Sequence, residues 1–138
     1  MEKEISEIMA EEHKKLDNLL DEFEKNLADV EKFNKFKLNL EKHFNIEEKA
    51  VFEVYTKVRE EDIPAIFDLM EEHKEILRLI TDIEDSVKEE KIQDIEELKV
   101  VLERHRKFEE EEFYPELDED LSVEEKQEIR EKSEKLLE

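Results

Sequence analysis

Residues 40–48 read Leu40-Glu41-Lys42-His43-Phe44-Asn45-Ile46-Glu47-Glu48, and a similar stretch returns near the other end as Leu102-Glu103-Arg104-His105-Arg106-Lys107-Phe108-Glu109-Glu110. Each copy places a histidine four residues before a glutamate, so both side chains lie on one face of a helix. The other two of the four histidines, His13 and His73, each follow a pair of glutamates in a second repeated segment. The two repeats have offsets of 62 and 60 residues, and they predict two related helical hairpins.

Apolar residues spaced three and four apart predict a single all-α domain over residues 1–138. The predicted helices cover about 2–27, 32–58, 63–88, 92–114 and, for a short C-terminal helix, 122–137. Asp62 is expected to cap the third helix and Pro64 to occupy its first turn. Pro115 is expected to end or kink the fourth helix. Ser122 begins a capping box, but few apolar residues follow it, so the last helix is expected to pack weakly or fray.

The predicted architecture is an up-and-down four-helix bundle with a pseudo-twofold repeat. In such a bundle, residues at one height lie equally far from the turn that joins their helices. With residue 45 as the centre of His43 and Glu47, and residue 107 as the centre of His105 and Glu109, the midpoints of successive positions fall at residues 29, 59 and 90. These coincide with the three predicted turns. On the third helix, the predicted buried stripe contains Ile66, Met70, His73, Leu77 and Ile80. The sequence therefore predicts one buried layer containing His13, His43, Glu47, His73, His105 and Glu109.

The composition excludes several classes of function. The chain has 138 residues, no cysteine and no glycine, and 49% of its residues are charged. The lack of cysteine excludes disulfides, thiolate metal sites and cysteine nucleophiles. A net charge of −22 argues against nucleic acid and anionic membrane as partners. With no long apolar run and no basic, apolar leader, a soluble cytoplasmic protein is expected.

A buried layer of this kind needs strong compensation. A buried glutamate without a partner costs several kcal/mol or takes up a proton. Four imidazoles and two carboxylates around a pair of metal ions supply that compensation, and imidazole suits iron, zinc, copper and nickel. A buried histidine–glutamate hydrogen-bond network without metal is the alternative. A ferritin-like site is disfavoured because the pairs here run histidine, then glutamate, at a spacing of four.

Six neighbouring residues have less certain roles in the predicted layer. Glu48 and Glu110 are alternatives to Glu47 and Glu109 as ligands, although exposure on the surface fits their helical phase better. Glu12 and Glu72 are candidate acceptors for histidine N–H groups. For Tyr55 and Tyr114, packing at the helix ends is favoured over a place in the layer.

These motifs resemble the hemerythrin-like (HHE cation-binding) family. The matching residues are Glu12-His13, His43 with Glu47, Glu72-His73, His105 with Glu109, and the run 109–117. The resemblance implies a non-haem di-iron centre with an oxo or hydroxo bridge, and zinc and manganese are the alternative ions. It also implies four terminal histidine ligands and two bridging carboxylates: His13, His43, His73, His105, Glu47 and Glu109.

Two positions depart from the oxygen-carrying hemerythrins. Those proteins have a fifth histidine four residues after the third-helix histidine, where this chain has Leu77. They also have an aspartate five residues after the last histidine, where this chain has Glu110. The chain therefore resembles a six-ligand branch, which leaves open coordination positions on each iron. This implies chemistry or sensing with O2, peroxide or nitric oxide rather than reversible oxygen carriage.

Four functions remain open at this point. The first is a redox-active di-iron protein, a candidate oxidoreductase, whose partner is a small diatomic molecule or peroxide. The second is an iron-binding or sensing module read by another protein, and the third is iron storage or donation. The fourth is a structural bundle with adventitious metal. The sequence identifies neither a reductase nor a protein partner.

Overall fold

The computed structural model describes residues 3–91 and 94–137, which form helices and short turns with no strand among them. The helices are α1 Ile5–Glu24, α2 Val30–Ile46, α3 Phe52–Arg59, α4 Pro64–Lys88, α5 Glu96–Phe108, α6 Tyr114–Asp120 and α7 Val123–Leu136. The predicted all-α class is confirmed. The predicted starts of the first helix at Glu2 and of the fourth at Ile92 lie outside the described residues. None of the described helices is long and apolar enough to cross a bilayer.

Two short π-helical segments interrupt the predicted helices. The first, Glu47–Val51, joins α2 to α3, and the second, Glu109–Phe113, joins α5 to α6. The second predicted helix is therefore continuous but contains one wider turn. The prediction that Pro115 ends or kinks the fourth helix is wrong in its position. Pro115 lies in the first turn of α6, where its missing N–H is tolerated, and helix continues to Asp120.

The caps of two helices differ from one another. Asp29 caps α2, because its side chain accepts a hydrogen bond from the backbone N–H of Lys32 at 3.1 Å. At α4 the capping residue is Ile63, which offers no side-chain acceptor, so the prediction for Asp62 is wrong. The prediction for Pro64 in the first turn is confirmed.

Two apolar clusters form the core, and the polar layer lies between them. On α1, Ile5 and Met9 belong to one cluster, while Leu16 and Leu20 belong to the other. His13 separates these two sets along the helix. The layer is therefore enclosed by apolar packing on both sides, which keeps water away from its side chains.

The buried stripe of α4 is shifted by one residue from the prediction at two places. Leu69 and Ile76 are fully buried, whereas Met70 is 37% exposed and Leu77 is only partly buried. Both sets satisfy a spacing of three or four residues from His73, so periodicity alone does not separate them. The prediction for Met70 is wrong, and the surface that α4 presents to the layer is turned by about one residue step.

The C-terminal helix packs more firmly than predicted. The capping box at Ser122 is confirmed, with its side chain accepting from the backbone N–H of Glu125. Ile129 is 1% exposed and belongs to the apolar cluster that contains Met9. Helix α7 contacts α2, α3 and the first π segment. The expectation of weak packing is therefore wrong around Ile129, although Leu137 remains exposed.

Candidate metal centre

The six side chains of the predicted layer meet in the interior. One histidine comes from each of α1, α2, α4 and α5, and the two glutamates are the first residues of the two π segments. None of the six is more than 5% exposed. They are His13, His43, His73, His105, Glu47 and Glu109.

In each π segment, the two adjacent glutamates contact the two ring nitrogens of one histidine on a facing helix. A π turn contains more residues than an α turn, so successive side chains are separated by a smaller angle. Glu47 Oε1 lies 3.2 Å from Nε2 of His73, and Glu48 Oε2 lies 2.6 Å from Nδ1 of the same ring. Sequence reasoning missed these segments. A signal exists in the paired apolar residues four and five positions after each glutamate, Val51-Phe52 and Phe113-Tyr114, because the fifth position departs from the helical period.

The inner ring nitrogens converge on the two carboxylates. Nε2 of His13 and Nε2 of His105 lie 3.1 and 3.4 Å from Oε1 of Glu109. Nε2 of His43 lies 3.4 Å from Oε1 of Glu47, the oxygen that also approaches His73. Two imidazoles therefore face each carboxylate.

Carboxylates on neighbouring helices hold the outer nitrogens of three of the histidines. Nδ1 of His13 lies 2.8 Å from Glu110, and Nδ1 of His105 lies 2.6 Å from Glu72. Glu48 and Glu110 are each 34% exposed and contact the outer ring edges, so they lie outside the cluster of inner atoms. Sequence reasoning favoured surface exposure for both and missed this contact.

The fourth histidine lacks such a partner. Glu12 and Glu72 were the predicted acceptors, and the structure brings Glu72 but not Glu12 into contact with a ring nitrogen. Nδ1 of His43 is buried and has no hydrogen-bond partner among the described residues.

The pKa values of the two central glutamates are shifted in opposite directions in the metal-free protein. Burial raises the pKa of Glu47, but the charge of His43 and hydrogen bonds from Glu109 and His73 outweigh it and hold that pKa well below its usual range. Burial and the adjacent negative charge of Glu47 raise the pKa of Glu109 well above its usual range. Protonation of the pair is therefore favoured on Glu109 over Glu47.

The pKa values of His43 and His73 are shifted in opposite directions. Burial lowers the pKa of His43 to about 4, and the nearby Glu47 charge only partly offsets that effect. Burial also lowers the pKa of His73, but hydrogen bonds and charge from Glu47 and Glu48 outweigh burial and raise it. Near neutral pH, His43 is therefore a neutral imidazole ready to donate a lone pair, whereas His73 retains more of a proton.

Tyr114 reaches the centre, although sequence reasoning favoured a packing role. Its phenol is fully buried, and its hydroxyl donates a hydrogen bond to Oε2 of Glu47. Burial and the charges of Glu47 and Glu109 raise the pKa of this phenol, so it stays protonated. Tyr55 instead donates to Asp120 at 2.6 Å, away from the layer.

The donor atoms fit metal ions. Among the described residues, the buried Nε2 atoms of His43, His73 and His105, and one oxygen each of Glu47 and Glu109, make no hydrogen bond of good geometry. Unpartnered buried polar atoms are costly unless something else binds them. Ligand atoms lie within 4.8 Å of one another in two groups that share Glu109: Glu47, His73, His105 and Glu109, and His13, His43 and Glu109.

A family model for the hemerythrin HHE cation-binding domain matches residues 4–117. The match covers most of the chain, so the protein belongs to the hemerythrin HHE cation-binding family. Members of this family bind cations, and the buried histidine and glutamate groups of this chain could hold a metal ion. Comparison with curated proteins and with solved structures found no match.

The outer carboxylates provide a matched test. Removing the acceptor in Glu72→Ala is expected to lower metal affinity by roughly 10- to 100-fold, because His105 loses the contact that orients its ring. Glu12→Ala changes the equivalent position of the first repeat, where no such contact exists, and is expected to leave affinity nearly unchanged. Competition titration of zinc against a chelator measures both. Equal losses in the two variants would contradict this assignment.

Proposed function

We propose that the layer binds two iron ions and reacts with, or senses, O2, peroxide or nitric oxide. The histidine nitrogens form two groups of candidate ligands. One contains His73 and His105, the other contains His13 and His43, and Glu109 belongs to both. A mixed imidazole and carboxylate set suits iron. Iron, when bound there, supplies redox and Lewis-acid chemistry.

The number of protein ligands supports a reactive metal centre rather than a structural site in which protein ligands complete the coordination. Four histidines and two carboxylates are shared between two ions, so neither ion has a complete set of protein ligands. Leu77 stands where a further histidine would be and packs against the apolar core. Open positions next to a dry apolar wall permit an external ligand to bind.

A small cavity beside the layer is the observation that supports the choice of substrate. It has a volume of about 30 Å³ and borders His13, His43 and His105. Apart from Asp17 and Arg106, its other walls are apolar, including Leu102. One water needs roughly 10–15 Å³ of this kind of volume, so the space suits a diatomic molecule or peroxide and excludes a larger substrate.

The surrounding residues fix and protect the centre. Tyr114 holds Glu47 in place through its hydroxyl and is the nearest buried O–H group. Phe44 stacks on His73 with ring centroids 3.9 Å apart, which restricts rotation of the imidazole. We propose that the helices around these residues, with the π segments that join them, form an up-and-down four-helix bundle with a pseudo-twofold axis, as the sequence repeat predicts.

The experiment is stopped-flow reaction of the ferrous protein with peroxide and, separately, with nitric oxide. One peroxide is expected to oxidise two ferrous ions, taking up two protons and giving two waters, with growth of near-ultraviolet absorption. Iron that loads in stoichiometric amount but reacts with neither molecule would contradict this proposal and favour sensing or storage of iron.

Filling the small cavity provides a matched pair of variants. Leu102→Phe is expected to slow the peroxide reaction by roughly tenfold or more without changing metal content, because it occupies the space next to His105. Val100→Phe adds the same ring at a position that is 61% exposed and is expected to react like the wild type. Equal rates in the two variants would show that the reactant does not use this cavity.

A further inference from the structure

A second, larger cavity lies where α7 covers α1 and α2. Its volume is about 230 Å³. Most of its walls are apolar, and His43 is the member of the metal layer that borders it. The residues that line this cavity include Met9, Glu12, His43, Ile46, Ile129 and Ser133.

The histidine at this cavity is the one whose outer nitrogen is unsatisfied. His43 is 4% exposed, and its Nε2 faces Glu47 in the centre. Its Nδ1 therefore faces away from the centre, and none of the residues that the structure describes forms a hydrogen bond with it. The corresponding nitrogen of His105, the equivalent residue in the second repeat, contacts Glu72 at 2.6 Å.

Among the described residues, none takes the place of the missing partner at Nδ1 of His43. Glu12 is the counterpart of Glu72 in the first repeat, and it lines this cavity together with His43. It makes no contact with Nδ1 of His43. The sequence repeat is thus broken at one of its four outer contacts, and both residues of that pair line a cavity bounded by α7.

The lining defines the chemistry of an occupant. If Nε2 of His43 binds metal, as proposed above, the ring proton is on Nδ1, and the occupant must supply a hydrogen-bond acceptor. Glu12 and Glu134 line the cavity, and the chain carries −22 overall, which disfavours an anion. Arg130 also lines it, but its guanidinium already donates to the backbone of Lys3 and to Gln127.

We propose that this cavity binds a small neutral molecule with an apolar body and one oxygen acceptor, which accepts a hydrogen bond from Nδ1 of His43. An apolar cavity of about 150 Å³ is large enough for benzene, so this one has room for a substituted ring. The proposal rests on the metal centre, because the metal fixes the ring proton. Occupation of the cavity then places an external molecule in contact with a metal ligand.

The test uses zinc-loaded protein, which is silent in redox chemistry. Acetophenone supplies a ring and a carbonyl acceptor, and ethylbenzene has a similar shape without the acceptor. Titration followed by amide chemical shifts is expected to show acetophenone binding with a dissociation constant of about 1 mM or tighter. Shifts are expected at Met9 and Ile129, and ethylbenzene is expected to bind roughly tenfold more weakly.

Two tryptophan variants of α7 locate the binding. Ser133→Trp fills the cavity and is expected to abolish acetophenone binding while metal content stays at the wild-type level. Lys135→Trp adds the same side chain at an exposed position on the same helix and is expected to bind normally. If Ser133→Trp does not fold, the preference for acetophenone over ethylbenzene and the position of the shifts still decide the matter.

The outcomes separate this proposal from the metal centre. Zinc-loaded protein that binds neither probe, or both equally, would overturn the cavity proposal and leave the centre intact. A wild-type protein that retains no zinc would contradict the centre and, with it, the donor role of His43.

Discussion

The double variant Glu47→Met/Glu109→Met is expected to stabilise the metal-free protein by about 1–4 kcal/mol and to abolish metal binding. Both carboxylates are fully buried, and each has an oxygen without a hydrogen-bond partner. Methionine is similar in size, flexible and apolar, so it removes the desolvation cost without leaving a large void. Tyr114 loses the acceptor of its buried hydroxyl in this variant, which offsets part of the gain.

Urea denaturation with a chelator, and again with excess zinc, measures both effects. Zinc is expected to raise the free energy of unfolding of the wild type by several kcal/mol, because a ligand at about 1,000 times its dissociation constant contributes about 4 kcal/mol. The double variant is expected to gain nothing. The control, Glu53→Met/Glu111→Met, changes two exposed glutamates of the same helical segments and should stay within about 0.5 kcal/mol of the wild type. A destabilised metal-free double variant would show that the carboxylates support the fold by themselves.

Metal binding is expected to release protons and to weaken as the pH falls. Burial and the charge of Glu47 raise the pKa of Glu109, and contacts with Glu47 and Glu48 raise the pKa of His73, so both groups keep their protons to higher pH in the metal-free protein. Metal must displace these protons, so each displaced proton lowers the apparent affinity about tenfold per unit decrease in pH. His43, whose pKa is about 4, contributes only in more acidic solution.

Calorimetry of zinc binding in two buffers with different ionisation enthalpies counts the protons. Release of about one proton or more per chain at pH 6.5 is the expected result. Binding that releases none would show that Glu109 and His73 are already deprotonated in the metal-free protein, contrary to their raised pKa values.

The sequence could locate the layer because its pattern is repeated and local. His43 and Glu47 share a helical face whatever the packing, and the placement of the turns brings the equivalent pair His105 and Glu109 to the same height. The polar residues also occupy positions in apolar stripes, which is unusual unless they have partners. The structure accordingly brings all six side chains together.

The outer contacts could not be predicted because they depend on backbone geometry that periodicity does not report. The π segments reduce the angle between Glu47 and Glu48, so the second glutamate contacts His73 instead of solvent. The absence of a contact between Glu12 and His43 is likewise invisible in a sequence that repeats the same motif twice. Hydrogen bonding by Tyr114 depends on where the second π segment turns that helix.

The shift of the α4 stripe has a similar cause. Leu69 and Met70 are both apolar neighbours at helical spacing from His73, and only contact with α2 and α5 decides which is buried. Ile129 shows the same effect for α7, because one well-placed apolar side chain anchors a helix that is otherwise polar. Tertiary packing outweighs local pattern in both places.

Metal analysis combined with an optical spectrum tests the central claim most directly. The protein is loaded anaerobically with ferrous iron, freed of excess metal, and then exposed to air. The account predicts about two irons per chain and near-ultraviolet absorption that grows on oxidation, both lost in Glu47→Met/Glu109→Met. Substoichiometric iron, or a fold and spectrum indifferent to a chelator, would contradict it and leave a helical protein with a polar core layer.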